Sequence, residues 1–379
     1  VAFVTHIPTP KKRGIIRRLR TELDNLAKPV VPLHVGVEVN KAKSLGKEYT
    51  QRTRSFLFAS LGATVAQMLG LSSLRFYENG VVSLNLPLCG QAVGGRASRT
   101  THPRVLAGFS QLFSLLNDSK IEVTNPYLWL TKAQIIKRII DAGHGDLVAQ
   151  SISCAHTWER SNQQTHCGKC SQCLDRRLAM LAAGAFDRDP AEQYKFNIFT
   201  EAPSALDDKI LVASYIERAR TLQEIKSVEV FIARYPELVR ALAFADGLSH
   251  QQTAQKFLDL HQRHGREVGD ALETITRRHI PDFINHRLPE ACLLRIVIDP
   301  KTSVQLVAPP AHPQPKPSEP EHFLRRVGKV WEVRFRGGER TVLSQSNKGC
   351  EYLHYLIENR GDSFSARDLF RVINPATPG

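Results

Sequence analysis

The sequence predicts an α/β protein: a doubly wound parallel sheet closed off by a four-cysteine module, then a helical region and a small α+β module. Three observations carry this. Short apolar strands alternate with helices from Val1 to Gly143, the unit from which parallel sheets are built. Cys154 is followed by the triplet Cys167-Gly-Lys-Cys170-Ser-Gln-Cys173. Beyond about residue 200 the strands give way to helical patterns.

Val1–Thr5 reads as a strand, followed by a helix after Pro10 and a strand over Val30–Val39. A helix over Thr53–Leu69 places Phe56, Ala59, Ala63 and Ala66 on one side, and a strand over Leu74–Tyr77 follows. The alternation continues through a helix near Val105–Leu116 and the Ile121-Glu122-Val123 strand. Thr131 caps a helix reaching Ala142, with Ile135, Ile136, Ile139 and Ile140 at helical spacing and Gly143 as its stop.

Four thiolates at the observed spacing wrap one zinc ion tetrahedrally, because Cys-x-x-Cys loops turn back and point their sulfurs at a common centre. With Cys154, Cys167, Cys170 and Cys173 as ligands the site is closed, so the zinc is expected to hold the fold rather than perform a reaction. Four-cysteine sites also accept iron. His156 and His166 flank the ligands, as outer-sphere partners or facing solvent. Leu174-Asp175-Arg176-Arg177 then enters an alanine-rich amphipathic segment ending near Gly184.

The clearest helices beyond residue 200 are Val228–Arg234, Pro236–Ala245 and His250–His264. Pro309, Pro310, Pro313, Pro315, Pro317 and Pro320 mark an extended linker. In the last segment, Val330–Phe335, a Gly337-Gly338 turn and Thr341-Val342-Leu343 form a hairpin signature. A helix after Ser346 places Cys350, Leu353, Leu356 and Ile357 on one face, and another begins after Ser365. Hairpin plus two short helices resembles a winged-helix-like module, which binds DNA or mediates protein contacts. The expected domains are 1–198, with the zinc module at 150–190; a helical domain at 199–307; the linker at 308–320; and the winged-helix-like module at 321–379.

At 379 residues and 42% hydrophobic content the chain is long enough for two or three domains. No run of about 18 apolar residues occurs, so no membrane span is expected, and Val1-Ala2-Phe3-Val4 reads as a strand rather than a signal peptide. Seven cysteines, four of them assigned to a metal, argue against a disulfide framework and for a reducing, cytoplasmic setting. The formal charge of +14 favours polyanionic partners, although Lys11-Lys12-Arg13 and Arg17-Arg18 also suit a solvated helix face.

Ser153-Cys154, the cysteine triplet, Arg176-Arg177 and Gly184 together resemble the zinc motif of the 7-cyano-7-deazaguanine synthase (QueC)-like PP-loop ATPase family. Arg54-Ser55-Phe56-Leu57-Phe58-Ala59-Ser60-Leu61, and Pro126 through Thr131-Lys132-Ala133-Gln134-Ile135-Ile136, match further upstream. The resemblance covers roughly residues 1–195. It implies an adenine nucleotide alpha hydrolase-like fold, with ATP and Mg2+ as co-substrate, a carboxylate or deazapurine-like substrate, and a ligase activity of queuosine biosynthesis. In that chemistry a carboxylate is adenylated and converted with ammonia to an amide, and a second activation gives the nitrile.

The family's Ser-Gly-Gly-x-Asp-Ser phosphate loop does not occur in this sequence. Val1–Thr5 aligns with the family's second strand, so the loop is expected upstream of Val1, this chain being a truncated product; the alternative is a protein that has lost the loop, with an exposed sheet edge and no phosphate site. The family's Tyr-Pro-Asp-Cys-Arg type of segment is replaced by Thr100-Thr101-His102-Pro103-Arg104, a departure bearing on the substrate. Ser98, Arg99, Thr100, Thr101 and His102 form a hydroxyl-rich cationic loop suited either to gripping an anionic substrate or to ordinary capping. Arg54 is placed to meet a nucleotide or to complement nearby carboxylates, and Lys132 to contact phosphate or solvent. Asn79 and Asn85 flank a strand end, as turn residues or as lining of the same crevice. Two other readings stand beside the synthase. One is a relative from antiphage defence or DNA modification acting on a protein or nucleic acid. The other is a non-catalytic, zinc-stabilised nucleic-acid-binding protein using the C-terminal module.

Overall fold

A computed structural model describes residues 2–6, 14, 17, 21, 24, 33–37, 54–87, 100–156, 159, 161, 163–245, 247–298, 323–327, 330–334, 339, 341–343, 348–359 and 370. The chain divides into two compact units, Val1–Val307 and Ala308–Gly379.

In the first unit β1 (Ala2–His6) pairs in parallel with β2 (Leu33–Val37), Ala2 opposite Leu33 and His6 opposite Val37. Helix α1 (Arg54–Met68) leads into β3 (Ser73–Arg75), which pairs in parallel with β4 (Glu122–Thr124). Both pairings are parallel, as the alternating pattern requires. Among the described residues, however, the strands form two separate two-stranded pieces rather than one doubly wound sheet. The second piece is short: each strand has three residues, and Ser73 and Arg75 are exposed on either side of half-buried Leu74.

Small side chains let α1 pack closely, with Ser55, Ala59, Gly62, Ala63 and Ala66 buried. Phe56, expected on that face, is 45% exposed and leans on Phe109 instead. The short helix α2 (Gly80–Leu84) lies where a strand end was expected. Asn79 caps it by accepting from the Val82 amide, and Asn85 closes it in the left-handed conformation. Helix α3 (Pro103–Leu116) starts with Pro at its first turn and packs Leu106 and Phe113 against Val123 and Ala63. Helix α4 (Lys132–Asp141) begins with a full capping box between Thr131 and Gln134 and stops before Gly143, where φ is +84°. Helix α5 (Gly145–Gln150) leads to the cysteine segment and α6 (Ser171–Ala182).

The helical region is larger than its sequence pattern suggests. It contains α7 (Leu206–Glu224), α8 (Val228–Arg234), α9 (Val239–Leu242), α10 (His250–Arg278), α11 (Ile280–Ile284) and α12 (Leu293–Ile298). Its core includes the cysteine-bearing helix: Leu174 and Leu178 of α6 share one apolar cluster with Val212 and Ile216 of α7, Val268 and Leu272 of α10, and Leu293 and Leu294 of α12. At roughly 1.5–3 kcal/mol for each fully buried Leu, Ile or Val, this shared interior joins α6 to the helical region.

In the second unit β5 (Phe323–Val327), β6 (Val330–Arg334) and β7 (Thr341–Leu343) form an antiparallel meander, and α13 (Lys348–Glu358) follows. Strand β5 has no counterpart in the sequence reading. Leu324, Trp331 and Cys350 form its buried centre, and Arg325 pairs across the strands with Glu332 at 3.0 Å. The expected apolar face of α13 is only partly buried: Leu353 is 50% exposed, Leu356 41% and Ile357 37%. The linker, the Gly337-Gly338 turn and the start of the last helix lie outside the described residues.

Candidate metal centre and adjoining polar cluster

Cys154 comes from the extended segment after α5, Cys167 and Cys170 from a tight loop, and Cys173 from the first turn of α6. All four are buried, and their Sγ atoms lie within 4.8 Å of one another. Cys170 and Cys173 sulfurs are 3.5 Å apart, and Cys167 and Cys173 sulfurs 3.8 Å. A tetrahedron with metal–sulfur bonds of about 2.3 Å has edges of about 3.8 Å, so the donor set fits one zinc ion. The Cys167 amide donates to Cys154 Sγ at 3.4 Å, and hydrogen bonding with Cys167 draws the Cys154 thiol down to about 6, toward the thiolate that a metal ligand must be. Gly168 makes the loop possible: its φ is +85°, and a Cβ there would run into the Phe196 carbonyl oxygen.

His166 is fully buried, stacked on Tyr194 with centroids 4.7 Å apart, and accepts from the Ser153 amide through Nε2 at 3.4 Å. It therefore braces the segment carrying Cys154, and solvent exposure is ruled out for it. His156 Nδ1 lies 3.2 Å from Glu159.

Beneath the cage two buried arginines converge on one aspartate. Arg176 Nε donates to Asp189 Oδ1 at 2.8 Å, while its Nη1 and Nη2 reach Ser151 Oγ and the Val148 carbonyl. Arg177 Nη1 donates to the Asp189 carbonyl and to Oδ2, and its guanidinium lies 4.4 Å from the Phe186 ring centroid and 4.7 Å from that of Tyr194. The Tyr194 hydroxyl donates to both Asp189 carboxylate oxygens at 2.9 Å, and burial followed by this carboxylate pushes its pKa up.

On the other side of α6 lies a second buried cluster. Asp175 forms an ion pair with Lys132 and accepts from the Tyr215 hydroxyl at 2.8 Å. Burial works to raise the Asp175 carboxyl, but Lys132 and His264 together with these hydrogen bonds overcome it and hold it below its ordinary value. Burial lowers His264 to about 4 and His261 to about 3, so both are neutral at pH 7. Burial raises Glu78 and Glu267, the latter accepting from Thr131 Oγ1 at 2.8 Å.

Of the residues singled out by sequence, Lys132 is thus already paired with Asp175. Thr101 Oγ1 lies 3.1 Å from Ser83 Oγ of α2, and Ser83 also accepts from Asn125. His102 is buried and caps α3, its Nδ1 accepting from the Arg104 amide at 3.2 Å. Thr100 is half-buried. Arg54 is exposed at the start of α1, its guanidinium 5.3 Å from the Phe58 ring centroid. Ser98 and Arg99 lie outside the described residues. Tyr215, Arg218 and His264 carry no local motif, and no sequence signal pointed to them.

Residues 98–184 match the family model for the queuosine biosynthesis protein QueC. Over 151 residues the chain is 26% identical to a 7-cyano-7-deazaguanine synthase from Methanoregula boonei, covering 40% of this chain and 60% of that protein. Over 139 residues it is 26% identical to the synthase of Acinetobacter baylyi, covering 35% of this chain and 53% of that protein. The chain therefore spans little more than half the length of these curated relatives. The QueC-like segment runs through α3, α4 and α6 and contains all four cage cysteines; Tyr215, Arg218 and His264 lie beyond it.

Proposed function

We propose that this chain is part of an ATP-dependent carbon–nitrogen ligase of the 7-cyano-7-deazaguanine synthase kind, acting on a carboxylate of a deazapurine-like substrate. The observation that carries this reading is the coincidence of the QueC match over residues 98–184 with a four-thiolate cage built from that same segment.

Cys154, Cys167, Cys170 and Cys173 would hold the zinc, whose four positions they fill, so its contribution is to the fold. The reaction proceeds by transfer of adenylate from ATP to a carboxylate oxygen with release of pyrophosphate. Ammonia then displaces AMP to give the amide, and a second ATP-dependent activation removes the amide oxygen to give the nitrile. Negative charge develops on the phosphates, and fixed donors and cations oppose it most effectively where water is excluded. In this reading Arg54, Ser98, Arg99, Thr100, Thr101 and His102 face the substrate and nucleotide. The buried placement of Thr101 and His102 supports a second duty for them, holding α2 and α3 in register. Lys132 contributes through Asp175, fixing α6 under the cage.

The test is to incubate the full-length protein with ATP, Mg2+, ammonium and a 7-deazaguanine-7-carboxylate, following pyrophosphate and AMP. Stoichiometric release dependent on the carboxylate is expected. ATP left intact with this substrate and with other purine-like carboxylates would overturn the reading.

A further inference from the structure

Two helices of the first unit turn an uncharged face outward. Residues 55–74 and 105–117 contain no Asp, Glu, Lys, Arg or His, in a chain of which 23% is charged. These runs make up nearly all of α1 and α3 and the turns that follow them. A helix side that meets water ordinarily carries charged and polar residues. The inner sides are accounted for, since Ala59 and Ala63 of α1 pack with Leu106 and Phe113 of α3 against Val123 of β4.

On the outside, Leu115 is 83% exposed, Met68 79% and Leu116 71%, the three most exposed large apolar side chains among the described residues. Helix α1 leads into β3 and α3 into β4, and these strands are parallel neighbours, so Met68 lies at the same end of the helix pair as Leu115 and Leu116. Helix α9 touches α3 but leaves these leucines uncovered. Each helix is about 20 Å long, and a face two helices wide offers on the order of several hundred Å2, the size at which an apolar patch marks an interaction site. Gly108 sits on the same stripe of α3 as Leu112 and Leu115, and nothing lies within 4 Å of a Cβ placed on it. A mid-helix glycine lowers helix stability, and no intramolecular contact here requires one; a surface approached closely from outside does.

The charges at the two ends of the face select a second copy of the chain as its occupant. Arg54 and Arg104, both exposed, stand at the N-terminal ends of α1 and α3, where the helix dipoles are also positive. The C-terminal ends present the helix carbonyls, with Asp118 and Lys120 cancelling each other in the turn after α3. A two-fold axis across the helices runs the two pairs antiparallel, lays the positive end of one protomer over the carbonyl end of the other, and brings the apolar end of each near the exposed Phe56 of its partner. With a formal charge of +14, two copies repel over most of their surface, and this face lets them meet without opposing like charges.

We propose that the outer face of α1 and α3 is the interface of a symmetric homodimer, with Met68, Leu115 and Leu116 as its apolar anchors. The proposal does not depend on the ligase reading above.

The test is sedimentation velocity of the metal-loaded full-length protein from nanomolar to high micromolar concentration, where a monomer–dimer equilibrium is expected. Leu115→Lys should raise the dimer dissociation constant about a hundredfold, because a symmetric interface counts each change twice. Gly108→Leu has room in the monomer and should weaken the dimer about tenfold. Both positions are exposed, so far-UV circular dichroism and metal content should match the parent. Ile284→Lys, at an equally open apolar position of α11, should leave the dimer intact. A monomer at every concentration overturns the proposal, as does a dimer whose affinity is the same in Leu115→Lys and Gly108→Leu. A monomer that instead binds phospholipid vesicles through this face also overturns it, assigning the face to a membrane surface.

Discussion

The Tyr215 hydroxyl donates to Asp175 Oδ1 at 2.8 Å, linking α7 of the helical region to the helix that carries Cys173. With the Lys132 ion pair it ties α4, α6 and α7 together in a mostly buried place. Tyr215→Phe should therefore cost about 1–2 kcal/mol. Asp175→Ala, which strands the mostly buried Lys132 ammonium, should cost about 3 kcal/mol. Urea unfolding of both variants checks this, and equal midpoints to the parent would show that the link carries no stability.

Where structure follows from local chemistry, the sequence was readable. The Cys-x-x-Cys turn and the Thr131 helix cap each satisfy their requirement within a few residues, and both occur where expected. Helix α7 went unread because its buried residues, Val212, Ala213, Ser214, Tyr215 and Ile216, run around the helix rather than along one stripe, and Ala205 offers no capping side chain. Helix α10 runs past His264 because Gly265 is a contact point, not a stop: a Cβ there would sit 2.8 Å from the Ala219 carbonyl oxygen of α7. The cavity between α2, α6 and α7 could not be read at all, since its lining comes from segments more than 40 residues apart, such as Ser171 and Tyr215, and only packing brings them together.

Asp189 is the single carboxylate serving two buried guanidinium groups and a buried phenol. Asp189→Asn keeps the shape but removes the charge, leaving Arg176 and Arg177 uncompensated. A loss of about 3–5 kcal/mol is expected, enough to leave much of the protein unfolded or insoluble. Expression yield and thermal midpoint read this directly. Arg177→Lys should fall between parent and Asp189→Asn, since an ammonium keeps the ion pair but loses the planar contact with Phe186 and Tyr194.

The cage should bind one metal ion per chain, measured by elemental analysis of the purified protein. Each of Cys154, Cys167, Cys170 and Cys173 changed to Ser should abolish stoichiometric metal and lower the thermal midpoint, as should a strong chelator on the parent. Gly168→Ala tests the loop separately. It keeps every ligand, but the added Cβ meets the Phe196 carbonyl at a φ of +85°, so weakened metal retention is expected with all four sulfurs present. Normal metal content in Gly168→Ala would show that the loop can relax without disturbing the cage.

His261 and His264 predict the acid limit of the fold. Burial first, with the charge of Arg218 adding to it and Asp175 partly offsetting it at His264, depresses them to about 3 and about 4 from an unfolded value near 6.5. The unfolded chain therefore binds the extra protons first, and the stability these residues contribute is complete above about pH 6.5 and declines as pH falls toward their folded values. At pH 5 the loss amounts to about 2 kcal/mol for each residue, on the order of 4 kcal/mol together. His261→Leu removes one titrating group while filling its buried site, so between pH 6.5 and 5 the dependence of unfolding free energy on pH should become shallower by about 1 kcal/mol per unit. The variant forfeits the 2.7 Å contact between the ring Nδ1 and the Phe257 carbonyl and so starts from lower stability at pH 7.5, which is why the slope and not the midpoint is the decisive quantity. Parallel slopes for variant and parent would mean that His261 is not held neutral in the folded protein.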